Sequence, residues 1–241
     1  MERPVQHGKR IILSPPLART GEQDRADEAA FLRRLDGENA VAMMGDNPDF
    51  LPMPEKPGLL DFYRLRIGHV SARHMAQSAK LALDAGHDEP VVLACFLHDI
   101  AAGGLVRADH GYWGAQLIAP YVSEEVAFAV RYHQALRYFP DEAAGYAYPA
   151  AYIRYFGADY QPPDYIRRDY DMARAHRWYR SARTVTINDI YSFDDSKPPI
   201  DPEIFNDIIG RHFKTPAEGL GFDGSPVAHM WRTMIWPNNF L

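Results

Sequence analysis

The chain has 241 residues, a mass of 27.4 kDa and a formal net charge of −6. The acidic balance argues against binding nucleic acid through phosphate neutralisation, and no apolar run reaches the roughly 20 residues that span a bilayer. We therefore expect neither nucleic acid nor a membrane as a partner. Cys95 is the only cysteine, which excludes a disulfide scaffold and a cysteine-based zinc site. Since the N-terminus also lacks a stretch typical of a signal peptide, we expect a cytoplasmic protein.

The sequence predicts an all-α fold in three parts. Residues 1–57 are rich in Pro and Gly, carry one short helical pattern over residues 24–35, and are predicted to form an N-terminal arm that packs on the main domain. Residues 58–213 carry the remaining helical patterns and are predicted to form that domain. Residues 214–241 are interrupted by Gly and Pro, which predicts a C-terminal tail.

Hydrophobic periodicity predicts a series of helices in the main domain. In chain order they cover residues 62–86, 89–100, 109–122, 123–139, about 149–155, 170–193 and 201–211. Ser123 is a good N-cap for the fourth of these helices, and Asp201 is a good N-cap for the last. The helix at 89–100 is almost wholly apolar, so we expect it to be buried and Cys95 to be inert within it.

Histidines and acids recur along these helices at positions that a bundle can bring to one interior point. The set places one ligand position on each of five predicted helices, with an adjacent His-Asp pair on the second, and its members are His74, His98, Asp99, His110, His133 and Asp189. Imidazole suits iron, zinc, copper and nickel, and a carboxylate can bridge two hard cations. The spacing therefore predicts a metal site inside the bundle.

The apolar run LACFLHDI, which ends in His98 and Asp99, resembles the core of the HD superfamily of metal-dependent enzymes. An upstream helical His and a downstream helical Asp extend the resemblance over roughly residues 60–193, and it implies an HD-type helical bundle. Family spacing favours His74 over His69 as the first ligand. His69 would then support the ligands without binding a metal itself. Asp194 and Asp195, at the end of the late helix, remain alternatives to Asp189.

Members of this superfamily hold one or two metal ions, and the second ion requires two extra histidines between the His-Asp pair and the late Asp. The resemblance therefore implies two metals in this chain. His74, His98, Asp99 and Asp189 would hold metal one. Asp99, His110 and His133 would hold metal two, so that Asp99 bridges the pair.

Three segments resemble the mixed-valent di-iron oxygenases of the superfamily: HGYWGAQLI from His110, VRYHQALRYF around His133, and NDIYSF around Asp189. The segment around His133 resembles that of the phosphonate oxygenase among them, which carries a basic substrate-binding residue four positions after this His, and the corresponding residue here is Arg137. Positions i and i+4 share a helix face, so Arg137 would point toward the metals. The resemblance implies an enzyme with two iron ions (Fe2+/Fe3+) that uses dioxygen to cleave a C–C or C–P bond.

The implied substrate is a small hydroxylated metabolite, with an anionic group held by Arg137, and the catalytic residues would be Asp99 and Arg137. Two other functions remain open. The same ligands serve a metal-dependent phosphohydrolase with Mn2+ or another divalent ion. A non-enzymatic helical regulator with a vestigial site is the third reading, and the complete ligand set argues against it.

Two further patterns each allow two interpretations. Six arginines of residues 167–183 could bind an anionic ligand, although acids nearby favour a solvated, paired face; they are Arg167, Arg168, Arg174, Arg177, Arg180 and Arg183. An aromatic stretch could cover the site or could simply pack; it comprises Tyr146, Tyr148, Tyr152, Tyr155 and Phe156.

Overall fold

The computed structural model describes residues 51–102, 109–194 and 196–235. Within these ranges the chain is helical, and an isolated bridge between Asp141 and Tyr146 is the single extended pairing, which confirms the all-α prediction. The helical pattern predicted at residues 24–35 lies outside the described residues. No described helix has the length and apolar character needed to cross a membrane.

The described helices are numbered in chain order. They are α1 (Leu59–Leu65), α2 (His69–Asp84), α3 (Glu89–Leu97), α4 (His110–Ile118), α5 (Glu124–Leu136), α6 (Ala150–Phe156), α7 (Asp164–Arg174), α8 (Tyr179–Ile190), α9 (Asn206–His212) and α10 (Ala228–Ile235). Short 3-10 turns cover Glu142–Ala144 and Pro202–Phe205. The N-cap prediction for α5 is confirmed, because Ser123 Oγ accepts from the Val126 amide at 3.4 Å.

Two predicted helices are each broken into two, so the expectation of continuous helices was wrong at both places. The pattern over residues 62–86 divides between α1 and α2 at Gly68, whose ψ of 137° is not helical. Glycine is about 1 kcal/mol less favourable than alanine inside a helix, so the chain breaks there readily. The pattern over residues 170–193 divides between α7 and α8, where the His176 ring stacks on Phe128 at 4.2 Å.

Helix α3 is the centre of the bundle. Its residues from Val92 to Leu97 are all buried, as expected for a helix that is apolar on every side. It packs against α2, α5, α8 and α9. The helix ends at Leu97, so the His98-Asp99 pair follows in a turn at the middle of the molecule. Cys95 is buried as predicted, and burial raises the pKa of its thiol to about 11.

The last part of the chain adds a helix to this core. Within residues 214–241, which the sequence predicts to be a tail, α10 buries Trp231. The Trp231 ring lies edge-on to Phe62 at 4.8 Å, and its indole N–H donates to the Leu117 carbonyl at 3.2 Å. Residues from both ends of the described chain therefore pack together in the core.

Candidate metal centre

The six predicted ligands converge on one point in the interior. His74 comes from the middle of α2, His98 and Asp99 from the turn after α3, His110 from the start of α4, His133 from α5 and Asp189 from α8. The four histidines and Asp189 are buried, and the side chain of Asp99 is 18% exposed. Four helices and one turn thus supply the site; the sequence analysis placed His98 and Asp99 within the helix, but α3 ends at Leu97.

The first group forms around His74. Its Nε2 lies 3.0 Å from His98 Nε2, 3.1 Å from Asp189 Oδ1 and 3.6 Å from Asp99 Oδ2. Ligand atoms about 2.1 Å from one ion lie roughly 3.0–3.4 Å from each other, so this spacing suits a single cation. His74, His98 and Asp189 together could hold a metal ion.

The second group forms around the other oxygen of Asp99. Asp99 Oδ1 lies 3.0 Å from His110 Nε2 and 3.7 Å from His133 Nε2, and the two ring nitrogens are 3.2 Å apart. Oδ1 of Asp99 therefore faces His110 and His133, and Oδ2 faces His74, while His98 Nε2 lies 3.8 Å from Oδ1. Asp99 Oδ1 is buried and forms no hydrogen bond of good geometry with the described residues, so a cation would satisfy an otherwise unsatisfied acceptor.

The outer ring nitrogens fix the tautomers of the histidines. Nδ1 of His98 donates to the Cys95 carbonyl at 2.7 Å, and Nδ1 of His133 donates to the Val130 carbonyl at 2.6 Å. A carbonyl can only accept, so each ring carries its proton on Nδ1 and presents a lone pair at Nε2. This is the tautomer that metal ligation requires.

Ser192 fixes the tautomer of His74 in the same way. Its hydroxyl donates to the Asp189 carbonyl at 2.7 Å, so it accepts from His74 Nδ1 at 2.8 Å. The Nε2 lone pairs of His74 and His98 then face each other at 3.0 Å, an arrangement that is repulsive unless a positive charge lies between them. The donor set therefore fits a cation.

The charges of the site agree with this fit. Burial alone would raise the pKa of Asp99 and of Asp189, but His98 and His74 respectively hold both pKa values well below the usual range. Burial would lower the pKa of His98, but the charge of Asp99 outweighs it and raises that pKa to about 9, so without a metal Nε2 of His98 carries a proton at neutral pH, and a bound cation would replace this proton. Burial lowers the pKa of His133 to about 4, so that ring stays neutral.

Gly111 allows α4 to approach α5 closely enough for the second group to form. A Cβ at this position would lie 2.8 Å from the Arg131 carbonyl oxygen and 3.0 Å from the Val130 carbonyl oxygen. Both are backbone atoms of α5, so a side chain would push the helices apart. The first glycine of the HGYWGA segment therefore sets the separation of His110 and His133.

Arg137 lies beside the second group, as the i+4 spacing from His133 predicts. Its Nη2 is 3.3 Å from His110 Nε2 and 3.9 Å from Asp189 Oδ2. The guanidinium faces the Tyr152 ring at 6.0 Å, and its Nε is buried without a hydrogen-bond partner among the described residues. The side chain therefore keeps a buried N–H available for a ligand.

Neither His69 nor Asp194 belongs to the groups of described residues that could hold a metal ion. His69 is exposed on the first turn of α2 and lines a cavity of about 70 Å³ beside His74. Asp194 Oδ1 accepts from the Ser196 amide at 3.0 Å, and Asp195 lies outside the described residues. The Phe193 ring stacks on His74 at 4.0 Å, a contact that the sequence did not predict.

The prediction of a solvated arginine face was wrong for Arg183. The other five arginines of the run are exposed, but Arg183 is only 2% exposed and contacts the end of α5. The signal was present in the spacing, because Arg183, Thr186 and Asp189 follow each other at intervals of three and share one helix face.

Within the aromatic stretch, one ring packs in the core and another lies beside the candidate site. Tyr146 is buried and packs against Arg183 at 4.8 Å, whereas Tyr152 faces Arg137. Tyr152 also contacts the rings of Tyr138 and Phe156, at 6.4 Å and 5.8 Å. The side chain of Tyr155 lies outside the described part of the chain.

Neither a comparison with the models of known protein families nor a search of the curated proteins gave a match for this chain.

Proposed function

We propose that the chain is a metalloenzyme of the HD superfamily that holds two ions at this centre. His74, His98 and Asp189 would hold metal one, His110 and His133 would hold metal two, and Asp99 would serve both. The observation that carries the proposal is the position of Asp99, whose Oδ2 faces His74 while its Oδ1 faces His110. A carboxylate that faces two separate imidazole groups suits a bridging ligand.

The proposed reaction is the cleavage of a C–C or C–P bond of a small hydroxylated, anionic metabolite by dioxygen, with iron as the metal. The resemblance of the segments around His110, His133 and Asp189 to the di-iron oxygenases supports this reaction. Two bound irons would supply Lewis acidity and one-electron redox chemistry toward dioxygen.

Arg137 would bind the anionic group of the substrate. Its pKa lies above the usual value, since the charge of Asp189 outweighs the effect of burial, and it remains a cation. Buried charge-assisted hydrogen bonds are stronger than neutral ones, so the site suits phosphonate, phosphate or carboxylate. Because Nη2 of Arg137 is 3.3 Å from His110, the anionic group and the hydroxyl of the substrate would stand only a few bonds apart.

The aromatic rings beside Arg137 would exclude water from this reaction. Tyr138, Tyr152 and Phe156 form a continuous set of ring contacts, and Tyr152 lies nearest the guanidinium. A substrate held there would leave bulk solvent, which strengthens its contacts with Arg137.

The test compares oxygen consumption with hydrolysis. Protein loaded with iron or with manganese is screened against hydroxylated phosphonates, polyols and phosphate esters, with and without oxygen. We expect oxygen uptake that requires both iron and substrate. Anaerobic release of phosphate from an ester, supported equally by manganese, would replace the oxygenase with a phosphohydrolase.

Two variants check the substrate-binding role. Arg137→Gln should weaken substrate binding and keep both metals, because a guanidinium cation does not ligate them. Arg131→Gln is the matched control on the same helix, since Arg131 lies over the Tyr112 ring away from the ligands. If Arg137→Gln bound substrate as tightly as the wild type, Arg137 would not be the anion-binding residue.

A further inference from the structure

Arg183 is buried, and no carboxylate of the described residues forms an ion pair with it. Its Nη1 donates to the Leu136 carbonyl at 3.0 Å and its Nε donates to the Tyr179 hydroxyl at 3.1 Å. The rings of Tyr146 and Tyr179 lie 4.8 Å and 5.5 Å from the guanidinium carbon. Burying a charge among neutral partners is costly, so a residue of this kind needs a reason to be there.

These contacts hold the C-terminal end of α5. The last carbonyls of a helix have no partner within the helix, and here side chains supply the partners. Arg183 binds the carbonyl of Leu136, and the Tyr146 hydroxyl donates to the carbonyl of Arg137 at 2.8 Å. Because the Tyr146 ring packs on the Arg183 guanidinium, both contacts depend on Arg183.

Arg137 directly follows this end of α5, so the same contacts hold the base of its side chain. At its far end, Nη2 of Arg137 lies 3.3 Å from His110 Nε2 and 3.9 Å from Asp189 Oδ2, whereas its buried Nε has no hydrogen-bond partner among the described residues. The contacts at the base of the side chain therefore help to set its direction, and the Nε–H remains available for a ligand.

We propose that Arg183 is a positioning residue for Arg137. By holding the Leu136 carbonyl and the Tyr146 ring, it orients the Arg137 guanidinium to receive an oxyanion beside the second group of ligands. The proposal rests on the proposed function only in taking Arg137 as the residue that binds the anion.

The experiment uses the full-length protein loaded with diamagnetic zinc, which suits imidazole ligands and leaves nearby proton signals visible, and it makes two measurements. The first is the exchange rate of the Arg137 Nε–H with water by NMR, with the signal assigned by its loss in Arg137→Gln. The second is the dissociation constant of inorganic phosphate. The variants are Arg183→Met, Arg183→Lys and Tyr146→Phe, and Arg180→Met is the control because Arg180 is exposed on the same helix.

We expect Arg183→Met to accelerate the exchange and to weaken phosphate binding about tenfold, the lower end of the effect of residues that orient a ligand. In Arg183→Lys, the exchange rate and the phosphate affinity should lie between those of Arg183→Met and the wild type, since an ammonium can still donate to the Leu136 carbonyl. Tyr146→Phe should shift both in the same direction as Arg183→Met, and Arg180→Met should change neither.

Wild-type exchange and phosphate affinity in a folded, metal-loaded Arg183→Met would overturn the proposal. If Arg183→Met does not fold, Tyr146→Phe decides, because it removes one hydroxyl only; wild-type values there would overturn the proposal equally. Phosphate binding that persists in Arg137→Gln would instead contradict the proposed anion-binding role of Arg137. The exchange rate of the Arg137 Nε–H would still test whether Arg183 positions Arg137.

Discussion

Replacing Asp99 by Asn should abolish the binding of both metals while keeping the size of the side chain. The Asp99 oxygens lie between 3.0 Å and 3.8 Å from Nε2 of all four histidines, so this one carboxylate is within reach of both groups of ligands. At free metal 100-fold above its dissociation constant, each ion stabilises the folded state by about 2.7 kcal/mol. Two ions contribute about 5 kcal/mol, or about 10–20 °C in Tm for a chain of this size.

The assay is thermal unfolding with and without metal, together with metal analysis. The quantity compared is the increase in Tm that metal produces, because Asp99→Asn also alters the metal-free protein. Asp109→Asn is the matched control, since the Asp109 carboxylate accepts from the Tyr165 hydroxyl at 3.3 Å and lies next to a ligand without being one. An Asp99→Asn protein that kept both metals and the full increase in Tm would refute the shared role of Asp99.

Three further predictions follow from single contacts. His133→Ala should lose metal two and keep metal one, and loss of both ions in metal analysis would contradict the division into two groups. Phe193→Ala should release metal one to a chelator faster and leave the release of metal two unchanged, because the exposed Phe193 ring covers the ligand His74. Tyr191→Ala is the control, since Tyr191 is equally exposed. Release of metal one at the same rate from Phe193→Ala and from the wild type would rule out the shielding role. Hydrogen bonding to Arg211 lowers the pKa of Glu89 to about 2 from an unfolded value of about 4.5, so its contribution to stability is present above pH 4.5 and disappears as pH falls toward 2. The stability difference between wild type and Glu89→Gln, measured by urea unfolding, should therefore close over that interval, and a constant difference would contradict this origin.

Local patterns predicted the elements that carry the ligands. The apolar run of α3 predicted a central helix. The distribution of His and Asp over successive predicted helices, together with the resemblance to the HD superfamily, predicted that they converge, because a helical bundle can bring such side chains to one interior point. The i+4 spacing from His133 also placed Arg137 correctly beside the second group.

The features that the sequence did not predict depend on partners far apart in the chain. Ser192 fixes the tautomer of His74 across 118 residues, and Phe193 covers the same ring. The break before α8 lies where His176 packs on Phe128, a contact that a continuous helical pattern does not predict. The burial of Arg183 depends on Tyr146 and Tyr179, and arginine composition alone favours a solvated face.

The central claim is a pair of iron ions that share Asp99. Metal analysis combined with EPR spectroscopy of the iron-loaded protein after partial oxidation tests it most directly. Two irons per chain, with a spectrum of a magnetically coupled Fe(II)–Fe(III) pair that is lost in Asp99→Asn, is the predicted result. One iron per chain, or two irons with the spectra of isolated ions, would contradict the shared carboxylate.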